Sequence, residues 1–220
     1  MKYKIYIFRH GQTYYNRSHR FTGFIDSHLT PKGIQDAKKI AQKLKGKKFQ
    51  VAFQTHLSRS KDTLKPVLQY HPECTKVIVD DRMIERDYGS LKGKSHKTFV
   101  KEIGTQHYKT LLHWHQLDHL PAKEKEKLVK ELGEPELQVI RRSYDVRPPG
   151  GESIKDVEKR VLSFIKDLLA YMKKNKVHVA ISAHGNSMRP FRRYFEKLSV
   201  EEMMKLENPW DDYFEYTVEL

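Results

Sequence analysis

The sequence predicts an α/β fold built on a mostly parallel sheet, and three observations carry that prediction. Short apolar runs rich in β-branched and aromatic residues, Tyr3 to Phe8 and Val177 to Ala183, read as strands. Longer stretches with apolar residues at helical spacing separate the strand candidates, the alternation that yields parallel sheets. Both runs end in His-Gly, at His10-Gly11 and His184-Gly185, and in such sheets ligands bind beyond the carboxyl ends of the strands. Two strand-end imidazoles, one beside Arg9, therefore point to a single anion site.

After the first strand, Gly11 to Leu29 is a polar loop punctuated by glycine. Thr30-Pro31 then opens a helix with Ile34, Ala37, Ile40, Ala41 and Leu44 at helical spacing, ended by Gly46. Val51 to Gln54 reads as a buried strand and Lys76 to Val79 as another. Between them Leu57 to Tyr70 reads as a helix despite Pro66. Lys97 to Arg142 is mostly helical text, broken by Gly104, Pro121, Gly133 and Pro135. Ser153 to Lys174 is a long amphipathic helix, and Val177 to Ala183 is the last core strand. Helices are expected over Asn186 to Leu198 and Val200 to Leu206, with an edge strand from Tyr213 to Leu220.

Composition bounds the function class. The chain has 220 residues, no linker-like tract and a single cysteine, Cys74, so one domain without an intramolecular disulfide is expected. No charged-then-apolar leader opens the chain, and no apolar run is long enough to cross a bilayer, which together favour a cytoplasmic setting and no membrane partner. The net charge of +14 would steer anions, either small phosphorylated metabolites or nucleic acid. The lysines are scattered along the helices, which makes nucleic-acid binding the weaker alternative.

Six ordered segments carry a family resemblance. Arg9-His10-Gly11-Gln12-Thr13 with Asn16, Phe21-Thr22-Gly23-Phe24, Ser58-Arg59-Ser60, Glu85-Arg86-Asp87-Tyr88-Gly89, Arg141-Arg142-Ser143-Tyr144-Asp145 and Ala183-His184-Gly185-Asn186-Ser187-Met188-Arg189 resemble the histidine phosphatase superfamily. Within it the chain looks most like the 2,3-bisphosphoglycerate-dependent phosphoglycerate mutases, because of the Arg141-Arg142 segment. Taken singly, each histidine could be a satisfied core residue, Arg59 a solvated charge and Arg141-Arg142 a basic helix end. Their joint order lifts them.

The resemblance implies a three-layer α/β/α sandwich of the phosphoglycerate mutase kind, plus a helical insertion at about 105 to 132. It implies an isomerase that interconverts 3-phosphoglycerate and 2-phosphoglycerate in glycolysis and gluconeogenesis, primed by 2,3-bisphosphoglycerate and needing no metal. His10 would be the nucleophile, Glu85 the general acid and base, and Arg9, Arg59 and His184 the groups holding the transferred phosphoryl. Thr13, Asn16, Thr22, Gly23, Gly185 and Asn186 would contact phosphate oxygens. Arg86, Tyr88, Arg141 and Arg142 would grip the carboxylate and second phosphate, a task suited to the planar guanidinium fork. The family's substrate lysine falls at His96, with Lys94 and Lys97 as neighbouring substitutes.

Several departures favour the alternative, a phosphomonoesterase acting on a phosphorylated metabolite. Roughly thirty extra residues precede Arg141, an ordered insertion that would roof the site or form a contact in a homo-oligomer. Gly150-Gly151-Glu152-Ser153 resembles the superfamily's phosphatases, and the sequence stops at Leu220 without the tail that closes many mutase sites, so more phosphate should be lost to water. His115 and His119 stand at i and i+4 near His113, a spacing that holds zinc elsewhere. Without a neighbouring glutamate or cysteine, a solvated or interface helix is the expectation there.

Overall fold

A computed structural model describes residues 1–115 and 120–220. The five strands are β1 (Lys2–Arg9), β2 (Val51–Gln54), β3 (Lys76–Val79), β4 (Val179–Ala183) and β5 (Tyr213–Glu219). They form one sheet in the order β3-β2-β4-β1-β5, parallel throughout except for β5, which runs antiparallel to β1 at the edge. The helices α1 (Tyr14–Arg17), α2 (Pro31–Leu44) and α3 (Ser58–Leu68) precede β3. The helices α4 (His96–His115), α5 (Ala122–Arg142), α6 (Ile154–Asn175), α7 (Gly185–Glu196) and α8 (Val200–Lys205) follow it.

The pleat of the strands makes the three layers. Ile5 and Ile7 of β1 face a core shared with Val157, Val161, Phe164 and Ile165 of α6 and Met188 and Phe191 of α7. Tyr6 and Phe8, one residue out of phase, face Ile40, Ala41 and Leu44 of α2 and Leu64 and Val67 of α3. Because helices cover both faces, β1 and β4 are apolar nearly throughout, as the fold class requires.

Three expected helix breaks, at Gly104, Gly133 and Pro135, are corrected. Among the described residues of 97 to 142, Pro121 precedes the start of α5 as expected, while α4 runs through Gly104 and α5 through Gly133 and Pro135. A Cβ on Gly104 would lie 1.8 Å from the Val129 carbonyl oxygen, and one on Gly133 would lie 2.1 Å from that of Val100. These glycines therefore serve the close antiparallel packing of α4 on α5 rather than a break. Pro135 leaves the carbonyl of Glu131 without its helical donor, and Glu131 is exposed, so water replaces the lost bond. The same holds for Pro66 in α3, whose missing donor affects the exposed Asp62. The expected loop from Gly11 to Leu29 contains the one-turn α1, capped by Thr13 and Asn16.

The α4/α5 hairpin is anchored over the carboxyl end of the sheet. Phe99 and Val100 of α4 and Leu137 and Ile140 of α5 share a small core with Phe21 and Leu91. The His113, His115 and His119 side chains lie outside the described residues.

Candidate active site

Parallel pairing of Arg9 with Ala183 brings the ends of β1 and β4 side by side, and His10 N–H donates to the Ala183 carbonyl at 3.0 Å. The His10 and His184 rings are 5.0 Å apart between centroids. Both are buried.

The hydrogen bonds assign the protons. His10 Nδ1 lies 2.8 Å from the Gly11 carbonyl oxygen, which can only accept, so Nδ1 carries the proton and Nε2 keeps its lone pair. Burial above all, then the Arg59 and Arg9 charges, lowers the His10 pKa well below 6.5. The ring is thus a neutral base at physiological pH. His184 Nδ1 accepts from Arg59 Nε at 3.3 Å, which leaves Nε2–H for Thr55 Oγ1 at 2.8 Å. Burial and then Arg59 lower its pKa as well.

Arg59 is fixed by three acceptors, since its Nη1 and Nη2 donate to the Ile25 and Gly23 carbonyls at 2.8 Å each. Burial lowers its pKa to about 10, so it remains charged near neutrality. Glu85 Oε1 accepts from the backbone N–H groups of Arg86 at 2.8 Å and of Asn186, at the start of α7, at 3.3 Å. One ligand atom each from His10, Glu85 and His184 fall within 4.8 Å of one another. A cation would have to displace the engaged nitrogens of His184 beside Arg9 and Arg59, so the electrostatics favour an anion here.

A cavity of about 450 Å³ opens above these groups. Of the residues singled out by sequence, Arg9, Asn16, Thr22, Glu85, Tyr88, His96, Arg141, Arg142, Gly185 and Asn186 line it. His10, Arg59 and His184 are buried and are absent from that lining. Three further residues, Arg86, Thr13 and Gly23, are also absent from the lining. Arg86 is fully buried and donates to the carbonyls of Glu152, Ile140 and Val146 at 2.6, 2.6 and 2.8 Å, so its fork clamps the chain rather than facing the cavity. Thr13 caps α1 through the Asn16 backbone N–H, and Gly23 supplies the carbonyl that holds Arg59. Gly11 serves packing as well. A Cβ there would meet the Gly33 carbonyl oxygen at 2.2 Å, and its N–H is spent on Thr63 rather than aimed at a ligand.

His96 lies on the cavity wall, while Lys94 pairs with Glu102. Burial, followed by Arg141 and His19, pushes the His96 pKa down to about 4, so the ring on the wall is neutral. The sequence reading missed His19, Arg20, Arg189, Asn208 and Trp210, which also line the cavity. It also missed Arg160, whose Nη2 donates to the Glu85 carbonyl at 2.9 Å while its Nε donates to Glu152 at 2.9 Å. A lone arginine on an amphipathic helix offered no signal.

Comparison with known proteins decides the family. Residues 5–132 and 117–212 match the family described as the histidine phosphatase superfamily, branch 1. The chain belongs to the histidine phosphatase superfamily. Among its superfamily relatives, the 2,3-bisphosphoglycerate-dependent phosphoglycerate mutase of Mesorhizobium japonicum is 36% identical over 211 residues, spanning 94% of this chain and 88% of the relative. The enzyme of the same name from Methanococcus vannielii is 31% identical, spanning 91% and 84%. Among solved structures, a phosphoglycerate mutase from Bacillus anthracis aligns with a TM-score of 0.67 at 19% identity, covering 99% of this chain and 88% of the other. A mycobacterial glucosyl-3-phosphoglycerate phosphatase aligns with 0.68 at 22% identity, covering 99% and 91%. The mutase-like histidine phosphatase fold is common to both, whichever reaction they run.

Proposed function

We propose that the protein is a phosphoglycerate mutase that interconverts 3-phosphoglycerate and 2-phosphoglycerate through a phosphohistidine at His10, primed by 2,3-bisphosphoglycerate. The observation that carries this reading is the His10 ring itself, neutral, with Nδ1 committed to Gly11 and Nε2 free, set between two guanidiniums and near the Glu85 carboxyl. In the first half-reaction Nε2 attacks the phosphorus of the primer, and the bond from phosphorus to the ester oxygen breaks. Glu85 protonates the departing oxygen. In the second half-reaction Glu85 takes the proton of the phosphoglycerate hydroxyl as it attacks the phosphohistidine. Arg9 and Arg59 offset the charge on the non-bridging oxygens, and His184 orients Arg59 through its Nε–H. Neither half-reaction calls on a metal.

Support for mutase chemistry comes from the names of the relatives at 31 to 36% identity and from the cationic far wall, Arg141 and Arg142, suited to a substrate with two anionic ends. The reading places the enzyme in the cytoplasm with small phosphorylated metabolites. One observation favours the second reading, a phosphatase for a phosphorylated metabolite. His96 is neutral and Arg142 is paired with Glu207 at 2.9 Å, which weakens the grip on a second anionic end.

An enolase-coupled assay from 3-phosphoglycerate, run with and without 2,3-bisphosphoglycerate while free phosphate is followed, separates the two. Primer-dependent enolase signal with little phosphate release is expected. Steady phosphate release without enolase signal overturns the mutase reading. In either case His10→Ala should lower turnover by about a thousandfold or more and abolish acid-labile phosphate on the protein.

A further inference from the structure

Among the described residues four buried side-chain nitrogens find no hydrogen-bond partner, and three of them, Arg9 Nε, Arg189 Nη1 and Trp210 Nε1, belong to residues that line the active-site cavity. The fourth, on His71, belongs to a ring packed on Phe49. Folded proteins pair nearly all buried N–H groups, because an unpaired one forfeits its hydration for nothing. Three such donors around one cavity mark a place completed by acceptors on a ligand. Arg9 already has a part in the phosphoryl site, whereas Arg189 and Trp210 have none.

Arg189 is 7% exposed and stands on α7 one turn beyond Gly185 and Asn186, on the same side of the helix. The charges that act on it are those of Arg142, Glu207, Tyr88 and Glu85. It lines the same cavity as Glu85, Arg141 and Arg142. The Trp210 ring covers the Arg9 guanidinium at 5.0 Å. Its segment is firmly seated. Asn208 donates to the Gly185 carbonyl at 2.9 Å, its own carbonyl accepts from Arg9 at 3.2 Å, and Asp211 pairs with Lys39 at 3.1 Å. A neutral hydroxyl could satisfy one donor but would leave the buried Arg189 charge without a counterion. A carboxylate or phosphate answers both needs.

We propose that Arg189 and Trp210 bind the anionic group of the substrate that is not transferred, and so select phosphate esters that carry a second anion. The inference rests on the phosphohistidine reading for the location of the transferred phosphoryl. It adds to Arg141 and Arg142 one buried charge, at the end of the segment 183–189 but given no role by the sequence, and one uncharged, directional donor outside every motif.

The test uses 3-phosphoglycerate and glycerol 3-phosphate, which differ only in a carboxylate against a hydroxymethyl group, with inorganic phosphate as a third probe. Binding of each to the intact protein is measured by calorimetry for wild type, Trp210→Phe and Arg189→Gln. The phenylalanine keeps an aromatic ring over Arg9 while deleting the N–H together with part of the indole, and thermal midpoints check that both variants are folded. The wild type should prefer 3-phosphoglycerate, and Trp210→Phe should lose about tenfold in that affinity, Arg189→Gln at least as much. Glycerol 3-phosphate and inorganic phosphate should change by less than about threefold. Equal weakening of all three probes, no weakening of any, or a wild type that does not distinguish the matched pair overturns the assignment. If the expected selectivity loss is seen but no primer-dependent isomerisation occurs, the mutase reading fails and the assignment stands. Primer-dependent isomerisation with both variants binding 3-phosphoglycerate as tightly as wild type removes the assignment alone.

Discussion

Burial, reinforced by the Arg59 and Arg9 guanidiniums, keeps His10 unprotonated; burial and then Arg59 act on His184, and burial and then Arg141 on His96. The cost appears in stability. In the unfolded chain each ring takes up a proton as pH falls through about 6.5, whereas the folded rings resist until far lower, His96 until about 4. The unfolded state thus binds more protons in that window, so stability is full above pH 6.5 and is lost as pH drops below it. Asp156, held down to about 2 by Ser153 and Arg147 against the opposing effect of its desolvation, titrates below the window. The melting temperature should fall steadily between about pH 7 and pH 5, and less steeply in His96→Gln. A flat profile would contradict the burial of these rings as neutral species. At this scale the sequence singled out His10, Arg59, Glu85 and His184, and the fold gathers them: one ligand atom each of His10, Glu85 and His184 lie within 4.8 Å of one another, and Arg59 donates to His184. The sequence was misleading for Arg86, because a guanidinium beside Glu85 looks the same on paper whether its fork meets substrate or three backbone carbonyls.

The α4/α5 hairpin shows how an element added to the sheet governs the site without touching the reacting atoms. Its inner face meets Phe21 and Leu91, and Phe21 in turn contacts Tyr88 at 5.0 Å and His96 at 4.7 Å between ring centroids, both on the cavity wall. The hairpin closes only because Gly104 and Gly133 let the two backbones approach. Gly104→Ala, whose methyl would meet the Val129 carbonyl at 1.8 Å, should cost about 1–3 kcal/mol in urea denaturation. Through Phe21 it should also raise KM more than it lowers kcat. An unchanged denaturation midpoint would mean that the helices separate at no cost. Glycine and proline inside a helical text read as stops, and here the reading failed because a partner helix and surrounding water were not in view.

Across the whole molecule the excess of positive charge matches the cationic cavity. Lys32, Lys39 and Lys43 of α2 surround the Trp210 segment near the cavity, though Lys39 and Lys43 are partly neutralised by Asp211 and Asp212. Long-range attraction of a multiply charged phosphate ester should therefore raise the encounter rate at low ionic strength. Raising salt from about 0.05 M to about 0.5 M should lower kcat/KM several-fold while leaving kcat nearly unchanged, as steady-state kinetics at constant pH would show. A salt-independent kcat/KM would confine the electrostatics to the pocket. The strand and helix periods, the two His-Gly strand ends and the ordered motifs determined the layered fold, the family and the candidate residues for the site, because each of these is a local pattern that backbone geometry or reaction chemistry imposes on neighbouring positions. Only the tertiary structure decided which nitrogen of His10 is free, that Arg86 clamps the chain, and that Arg189 and Trp210, both lining the cavity, keep buried donors without a partner. Those facts depend on which distant groups become neighbours and on which of them exclude water, and no single segment of the chain carries that information.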